Sequence, residues 1–194
     1  MPTRDLDVVL FGATGFTGGL SADYLARHAP AGFRWALAGR SPGKLAAVRD
    51  RLTAIDPALG DLELLVADVG DEASLQVLAE RTKVVATTVG PYLDFGEPLV
   101  AACAAAGTAY ADLTGEPEFV DRTWVRHHAR AVETGARLVH CCGFDSVPHD
   151  LGAYFTVKQL PDDLPITLRG VVRAGAMISG GTFESLLTAM SRPR

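Results

Sequence analysis

Short apolar runs alternate along this chain with longer stretches in which apolar residues return every three or four positions, the patterns of buried strands and amphipathic helices. Val8-Val9-Leu10 predicts a first short strand, and Leu20 to Ala26 a helix. Phe33 to Gly39 predicts a second strand. Ser41-Pro42 then signals a helix start, and the helix runs through Leu45, Val48 and Leu52 to a break at Asp56-Pro57. Leu62 to Ala67 is the third expected strand, Ala73 to Ala79 a short helix, and Lys83 to Val89 the fourth strand. A helix from Glu97 to Ala106 is stopped by Gly107, and Ala109 to Leu113 is the fifth strand. After the turn Thr114-Gly115-Glu116-Pro117 a helix passes through Trp124 to Val132, and Ala136 to Cys142 is the sixth strand. A further helix ends at Leu160. Such alternation predicts an α/β fold, a doubly wound parallel sheet with helices on both faces. Pro161-Asp162-Asp163-Leu164-Pro165 is the expected boundary, dividing a domain over 1–160 from the start of an incomplete C-terminal one over 166–194. In the latter, Ile166 to Met177 reads as a strand, and Gly180-Gly181-Thr182-Phe183-Glu184 opens a helix with Thr182 as its N-cap.

The chemistry sits at the first strand-to-helix turn, Phe11-Gly12-Ala13-Thr14-Gly15-Phe16-Thr17-Gly18-Gly19. Glycine spacing of G-x-x-G-x-x-G in this context points to a Rossmann-like dinucleotide-binding domain. Gly12 permits the tight turn, Gly15 lets the backbone approach a pyrophosphate, and Gly18 lets helix and strand pack closely. Helix N–H groups and the helix dipole then favour the anion. At the end of the second strand, which faces the adenosine ribose, stands Arg40, with no carboxylate between Phe33 and Arg49. An acidic residue there would accept from a 2′-hydroxyl; an arginine pairs a 2′-phosphate, with Ser41 and Lys44 as added donors. The expected cofactor is therefore NADP(H), although a solvated charge at a strand end is the plainer reading of Arg40. Asp68 either meets the adenine amino group or caps the next helix together with Asp71. Val89, Gly90 and Pro91 end the fourth strand and are expected along the pyrophosphate and nicotinamide side, where Tyr92 is either a contact or acid or a packed ring.

Composition narrows the remaining choices. In 194 residues, 48% hydrophobic and 21% charged, the net charge of −5 offers no footprint for nucleic acid. The uncharged run from Pro98 to Ala111 is too short to span a bilayer, and Met1-Pro2-Thr3-Arg4-Asp5 shows no secretory signal. Three cysteines, Cys103, Cys141 and Cys142, make no disulfide framework, so a reducing cytoplasm is expected. Cys141 and Cys142, as neighbours on a strand, are expected to face opposite ways. No ligand spacing joins His127, His128, His140 and Cys142, and no metal is expected.

Taken together, Gly12-Ala13-Thr14-Gly15-Phe16-Thr17-Gly18, Ala38-Gly39-Arg40, Val89-Gly90-Pro91-Tyr92, Tyr110-Ala111-Asp112-Leu113-Thr114-Gly115-Glu116, Cys142-Gly143-Phe144-Asp145-Ser146-Val147-Pro148 and Gly180-Gly181-Thr182 resemble the saccharopine dehydrogenase-like oxidoreductases. Within that group the chain is most similar to the trans-acting enoyl reductases of phthiocerol-type lipid synthesis. The resemblance implies a longer protein, of which this chain is the N-terminal, cofactor-binding part. It implies an NADPH-dependent reductase of the carbon–carbon double bond in a lipid-like enoyl thioester, carried on a polyketide synthase. It also places Gly143 by the cofactor, and Tyr92, Asp145, Ser146 and His149 nearest the place where a proton is needed. Asp145 and Ser146 read equally as helix caps, and His149 as a surface histidine. Homodimerisation through the further domain is expected, and peripheral membrane association is left open.

Two other readings stand beside this one. Tyr154-x-x-x-Lys158 with Ser146 upstream has the residue types of a short-chain dehydrogenase, but it follows the sixth strand rather than the fifth. A saccharopine dehydrogenase-type reaction on another small substrate is the related option. The last is a module that binds NADP(H) without catalysis.

Overall fold

The computed structural model describes residues 4–173 and, beyond them, Gly175, Gly180, Phe183, Leu187 and Ser191. Six strands form one sheet: β1 (Leu6–Phe11), β2 (Trp35–Gly39), β3 (Glu63–Val66), β4 (Thr82–Thr87), β5 (Ala109–Asp112) and β6 (Leu138–Val139). All pairings are parallel, in the order β3-β2-β1-β4-β5-β6. The expected doubly wound sheet is therefore present, and its order reverses between β1 and β4. In that register Phe11 lies between Ala38 of β2 and Thr87 of β4.

Among residues 4–173, seven α-helices connect and follow the strands: α1 (Phe16–His28), α2 (Pro42–Thr53), α3 (Glu72–Arg81), α4 (Tyr92–Phe95), α5 (Glu97–Ala106), α6 (Pro117–Thr134) and α7 (Val147–Val157). A 3-10 turn at Pro57–Asp61 precedes β3. Because β1 is central, both of its faces are buried and its side chains alternate between two cores. Val9 and Phe11 join Leu75, Leu78, Leu99, Val100, Tyr110 and Phe119, under α3, α5 and α6. Leu10 and Ala13 join Ala22, Leu37, Leu45 and Leu52, under α1 and α2. Gly107 ends α5 in the left-handed conformation, and Gly135 does the same for α6.

The structure corrects the expected sixth strand. Only Leu138 and Val139 pair, with Tyr110 and Ala111 of β5. Cys141 has φ 59 and lies with Cys142 beyond the strand, so the alternation expected of strand neighbours does not apply to the two cysteines. The strand stops there because the Cys141 N–H turns to the Asp112 carboxylate, 3.1 Å away. A second correction concerns Ile166 to Arg173, expected within a strand. These residues are irregular and exposed, with no pairing among the described residues. Met177, Gly181, Thr182 and Glu184 lie outside the described residues, while Gly180 and Phe183 are helical. Helix α7 buries none of its residues, and Leu151, Tyr154 and Phe155 are exposed along it.

Candidate functional site

A cleft of about 320 Å³ opens where the sheet order reverses, at the carboxyl ends of β1 to β4. Gly12, Thr14 and Gly15 form one wall, Gly39 and Arg40 the end of β2, Ala67 to Val69 the end of β3, and Thr88, Val89, Gly90 and Phe95 the β4 side. Thus Gly12, Thr14, Gly15, Arg40, Asp68, Val89 and Gly90 come together around one cleft. Ala13 is buried beneath the turn, and Phe16, Thr17, Gly18, Ser41, Lys44, Pro91 and Tyr92 do not line this cleft.

The glycine turn has a physical reason for its spacing. Gly12 has φ +90, closed to most side chains, and its carbonyl accepts from the Gly15 N–H at 3.0 Å. A Cβ on Gly18 would sit 2.1 Å from the Gly12 oxygen. Only glycine at position 18 lets α1 start this close to β1. Thr88 fastens the turn from the β4 side, its hydroxyl donating to the Gly12 carbonyl at 3.2 Å. Gly15 is the N-cap of α1 and brings no side chain to the first-turn N–H groups, and no acidic residue stands in that turn. These donors are disposed for an anion.

Across the cleft, Arg40 is exposed and has no hydrogen bond or ion pair among the described residues. Ser41 is the N-cap of α2 without a side-chain bond, and Lys44 lies in the helix's exposed first turn. The capping alternative for Asp68 is not the one the structure takes. Asp71 caps α3, accepting from the N–H groups of Ala73 and Ser74, whereas Asp68 accepts from the Gly70 N–H at 2.9 Å and borders the cleft.

The remaining candidates are dispersed. Tyr92 is 5% exposed; its hydroxyl donates to the Thr87 carbonyl at 3.2 Å and accepts from the Leu113 N–H at 3.4 Å. Burial pushes this phenol well above its ordinary value, and the nearby Asp112 and Glu116 carboxyls push the same way. Tyr92 is thus a packed, bonded ring with its proton committed. Gly143 packs against Leu113, beyond the end of β5, and Asp145 and His149 are exposed on the turn and first turn of α7. The His149 ring meets Phe144 edge-on at 5.5 Å. Ser146 is the N-cap of α7 with no side-chain bond, so the expected cap is positional only. Tyr154 lies eight residues further along the same helix, about 12 Å of helical rise away. That separation does not assemble a short-chain dehydrogenase triad.

Sequence reasoning missed a buried polar bracket beside the cleft. Asp112 accepts from Tyr110 Oη at 2.9 Å, from the Thr114 N–H at 3.1 Å and from the Cys141 N–H at 3.1 Å. His140 Nδ1 lies 2.7 Å from the same carboxylate. Glu116, 7% exposed, accepts from the backbone N–H groups of Tyr92 at 3.0 Å and Leu93 at 2.9 Å. The available signal was the pair of acidic residues inside an otherwise uncharged turn.

A doubly wound sheet with an anion-disposed glycine turn and an unpaired cation across one cleft defines a dinucleotide-binding domain. A family model described as the saccharopine dehydrogenase NADP binding domain matches residues 8–139. The chain belongs to this family, and NADP(H) is the cofactor of the domain. A protein of Mycobacterium tuberculosis (strain H37Rv), provisionally named a trans-acting enoyl reductase, is 49% identical over 192 residues, covering 97% of this chain and 45% of the relative. A trans-acting enoyl reductase of Mycobacterium ulcerans (strain Agy99) is 49% identical over 201 residues, covering 98% of this chain and 47% of the relative. The chain therefore spans about half the length of these relatives. Among solved structures, apo saccharopine dehydrogenase (L-Glu forming) from Saccharomyces cerevisiae superposes with a TM-score of 0.64 at 18% identity, over 79% of this chain and 31% of that one. That likeness concerns the fold. Among the described residues no helix is long and apolar enough to cross a membrane.

Proposed function

We propose that this chain is the cofactor-binding part of an NADPH-dependent enoyl reductase that acts in trans on a lipid-like enoyl thioester borne by a carrier protein. The observation that carries the reading is the pairing of the uncapped α1 N-terminus with the unpaired Arg40 across one cleft. The relatives' names supply the reaction class. In this reading Gly12 to Gly18 hold the pyrophosphate, while Arg40, Ser41 and Lys44 take the 2′-phosphate. Asp68 faces the adenine, and Val89, Gly90 and Pro91 run along the nicotinamide side. The bound cofactor supplies a hydride. The protein's own part is to orient that face, keep water from it and deliver a proton. With the Tyr92 hydroxyl engaged by Thr87, the proton-donor candidates from this chain are Asp145, Ser146 and His149. The division at residues 161–165 and a second copy bound through a further domain belong to the same proposal.

A fluorescence titration with NADPH and with NADH tests it. Loss of charge-assisted bonds to a 2′-phosphate costs roughly 1.5–3 kcal/mol, so Arg40→Ala should weaken NADPH binding about 10- to 100-fold and leave NADH nearly unchanged. Preference for NADH, or an Arg40→Ala variant that binds NADPH as the parent does, would overturn the assignment.

A further inference from the structure

The segment from Asp112 to Glu116 carries two buried carboxyl groups that the proposed chemistry does not use. Each accepts from at least one backbone N–H group of a neighbouring loop, Asp112 also engaging Tyr110 and His140. Glu116 takes the consecutive N–H groups of Tyr92 and Leu93 with separate oxygens, at 3.0 and 2.9 Å. Arg122, one turn into α6, donates to the Leu93 carbonyl at 2.6 Å and is itself held by Glu97 at 3.1 Å. The Tyr92 ring lies beneath, its hydroxyl between Thr87 and Leu113. The loop leaving β4 is therefore gripped at both its N–H and C=O groups by the start of α6, immediately after Val89 and Gly90 enter the cleft wall.

From this geometry we infer that Glu116 is a positioning residue for the nicotinamide half of the cofactor site. It sets the path of residues 88–93 without touching the ligand. A buried carboxylate is costly unless its oxygens accept hydrogen bonds, and two adjacent N–H groups with no acceptor would be costly in turn. The two groups therefore hold one loop path against the alternatives. Arg122 is the counterpart on the carbonyl side. The adenosine half is built from β2, β3 and α2, whereas the Glu116 carboxylate bonds given above go to the loop leaving β4. Losing Glu116 should consequently separate the two halves of the cofactor's affinity. This inference rests on the proposed placement of NADP(H) in the cleft.

The test measures NADPH and adenosine 2′,5′-bisphosphate binding to the 194-residue chain, the parent beside Glu116→Gln and Glu116→Ala. Expected is a fall of about tenfold or more in NADPH affinity for Glu116→Ala, and a smaller fall for Glu116→Gln, which keeps one acceptor oxygen. The bisphosphate should bind all three proteins within about twofold of one another. Parallel losses for both ligands, or no loss for either, would show a merely structural role and overturn the inference. Should the variants not fold, hydrogen exchange on the parent decides. Tyr92 and Leu93 amides protected to the level of the β4 core uphold the grip, and exchange at exposed-loop rates refutes it. A parent that binds bisphosphate but whose NADPH affinity gains nothing from the nicotinamide half also refutes it. A parent that binds neither ligand removes the placement itself, and the inference with it.

Discussion

Replacing Gly18 by alanine tests the packing that brings α1 to the end of β1. The added Cβ would lie 2.1 Å from the Gly12 oxygen, 2.8 Å from the Gly12 carbonyl carbon and 2.9 Å from Ala13 Cα, all of them backbone. Ordinary contact needs about 3.5 Å, so helix and turn must separate by roughly 1 Å or more. No flexible side chain stands there to yield. The nearby turn cannot relax freely either, since Thr88 holds Gly12 from β4 and Gly12 N–H donates to Ala38 of β2. Overpacking of this kind costs about 1–3 kcal/mol, which for a chain of this size lowers Tm by roughly 2–10 °C. The same displacement moves the first-turn N–H groups of α1, so NADPH affinity should fall as well. Gly152→Ala serves as the control. Its Cβ meets nothing within 4 Å in α7, and alanine gains about 0.5–1 kcal/mol of helix propensity there. Thermal unfolding followed by circular dichroism reads both variants. A Gly18→Ala protein that melts with the parent and binds NADPH equally well would refute the close-packing argument.

Two further outcomes concern stability away from the cleft. Partial burial opposes ionisation of Glu97, yet hydrogen bonds from Arg126 and His127, aided by the charges of Arg126 and Arg122, hold its carboxyl below the usual 4.5. The ionised form is therefore favoured on folding. Its contribution is complete above pH 4.5 and lost as pH falls through the lower folded value, so Glu97→Gln should flatten the acid limb of urea unfolding by up to about 1 kcal/mol. Asp71 accepts from two N–H groups at the start of α3, and Asp71→Ala should cost about 1 kcal/mol in the same assay without changing NADPH affinity.

The parts of the fold legible in the sequence are those whose signal is local. Helix α5 runs from Glu97 to Ala106 and stops at Gly107, as the apolar spacing and the glycine predict. The glycine turn was legible because Gly12 and Gly18 each answer a local steric need. Strand β6 was not. The apolar run from Ala136 to Cys142 continues past the point where the strand can pair, because the residue that stops it, Asp112, lies on β5 and takes the Cys141 N–H. The turn of α4 was missed for a similar reason. Four residues carry no helical period, and the turn's first N–H groups are satisfied by Glu116, more than twenty residues away in sequence. Tyr92 illustrates the limit for chemistry. Its position after β4 leaves a contact, an acid and a packed ring equally open, while its hydroxyl partners, which decide the matter, come from tertiary structure.

That limit explains why the cofactor half of the site is clearer than the reacting half. In the proposed placement, phosphates are held by backbone N–H groups and a strand-end cation, both fixed by the order of glycines and by Arg40. The nicotinamide side in that placement depends on where the loops after β4, β5 and β6 come to rest, and buried carboxyl groups bond those loops. Asp112 ties the segment after β6 to β5 through Cys141, and Glu116 ties the segment after β4 to the start of α6. Each carboxyl group is acceptable in the interior only while its donors stay in place, so the loops are coupled through one five-residue stretch. A change at Asp112 should therefore be felt at the turn carrying Asp145 and Ser146, while a change at Glu116 should be felt at Val89 and Gly90. In the proposed placement the two acidic residues divide the reacting edge between them, and Arg40 and the glycine turn anchor the other end of the cofactor independently.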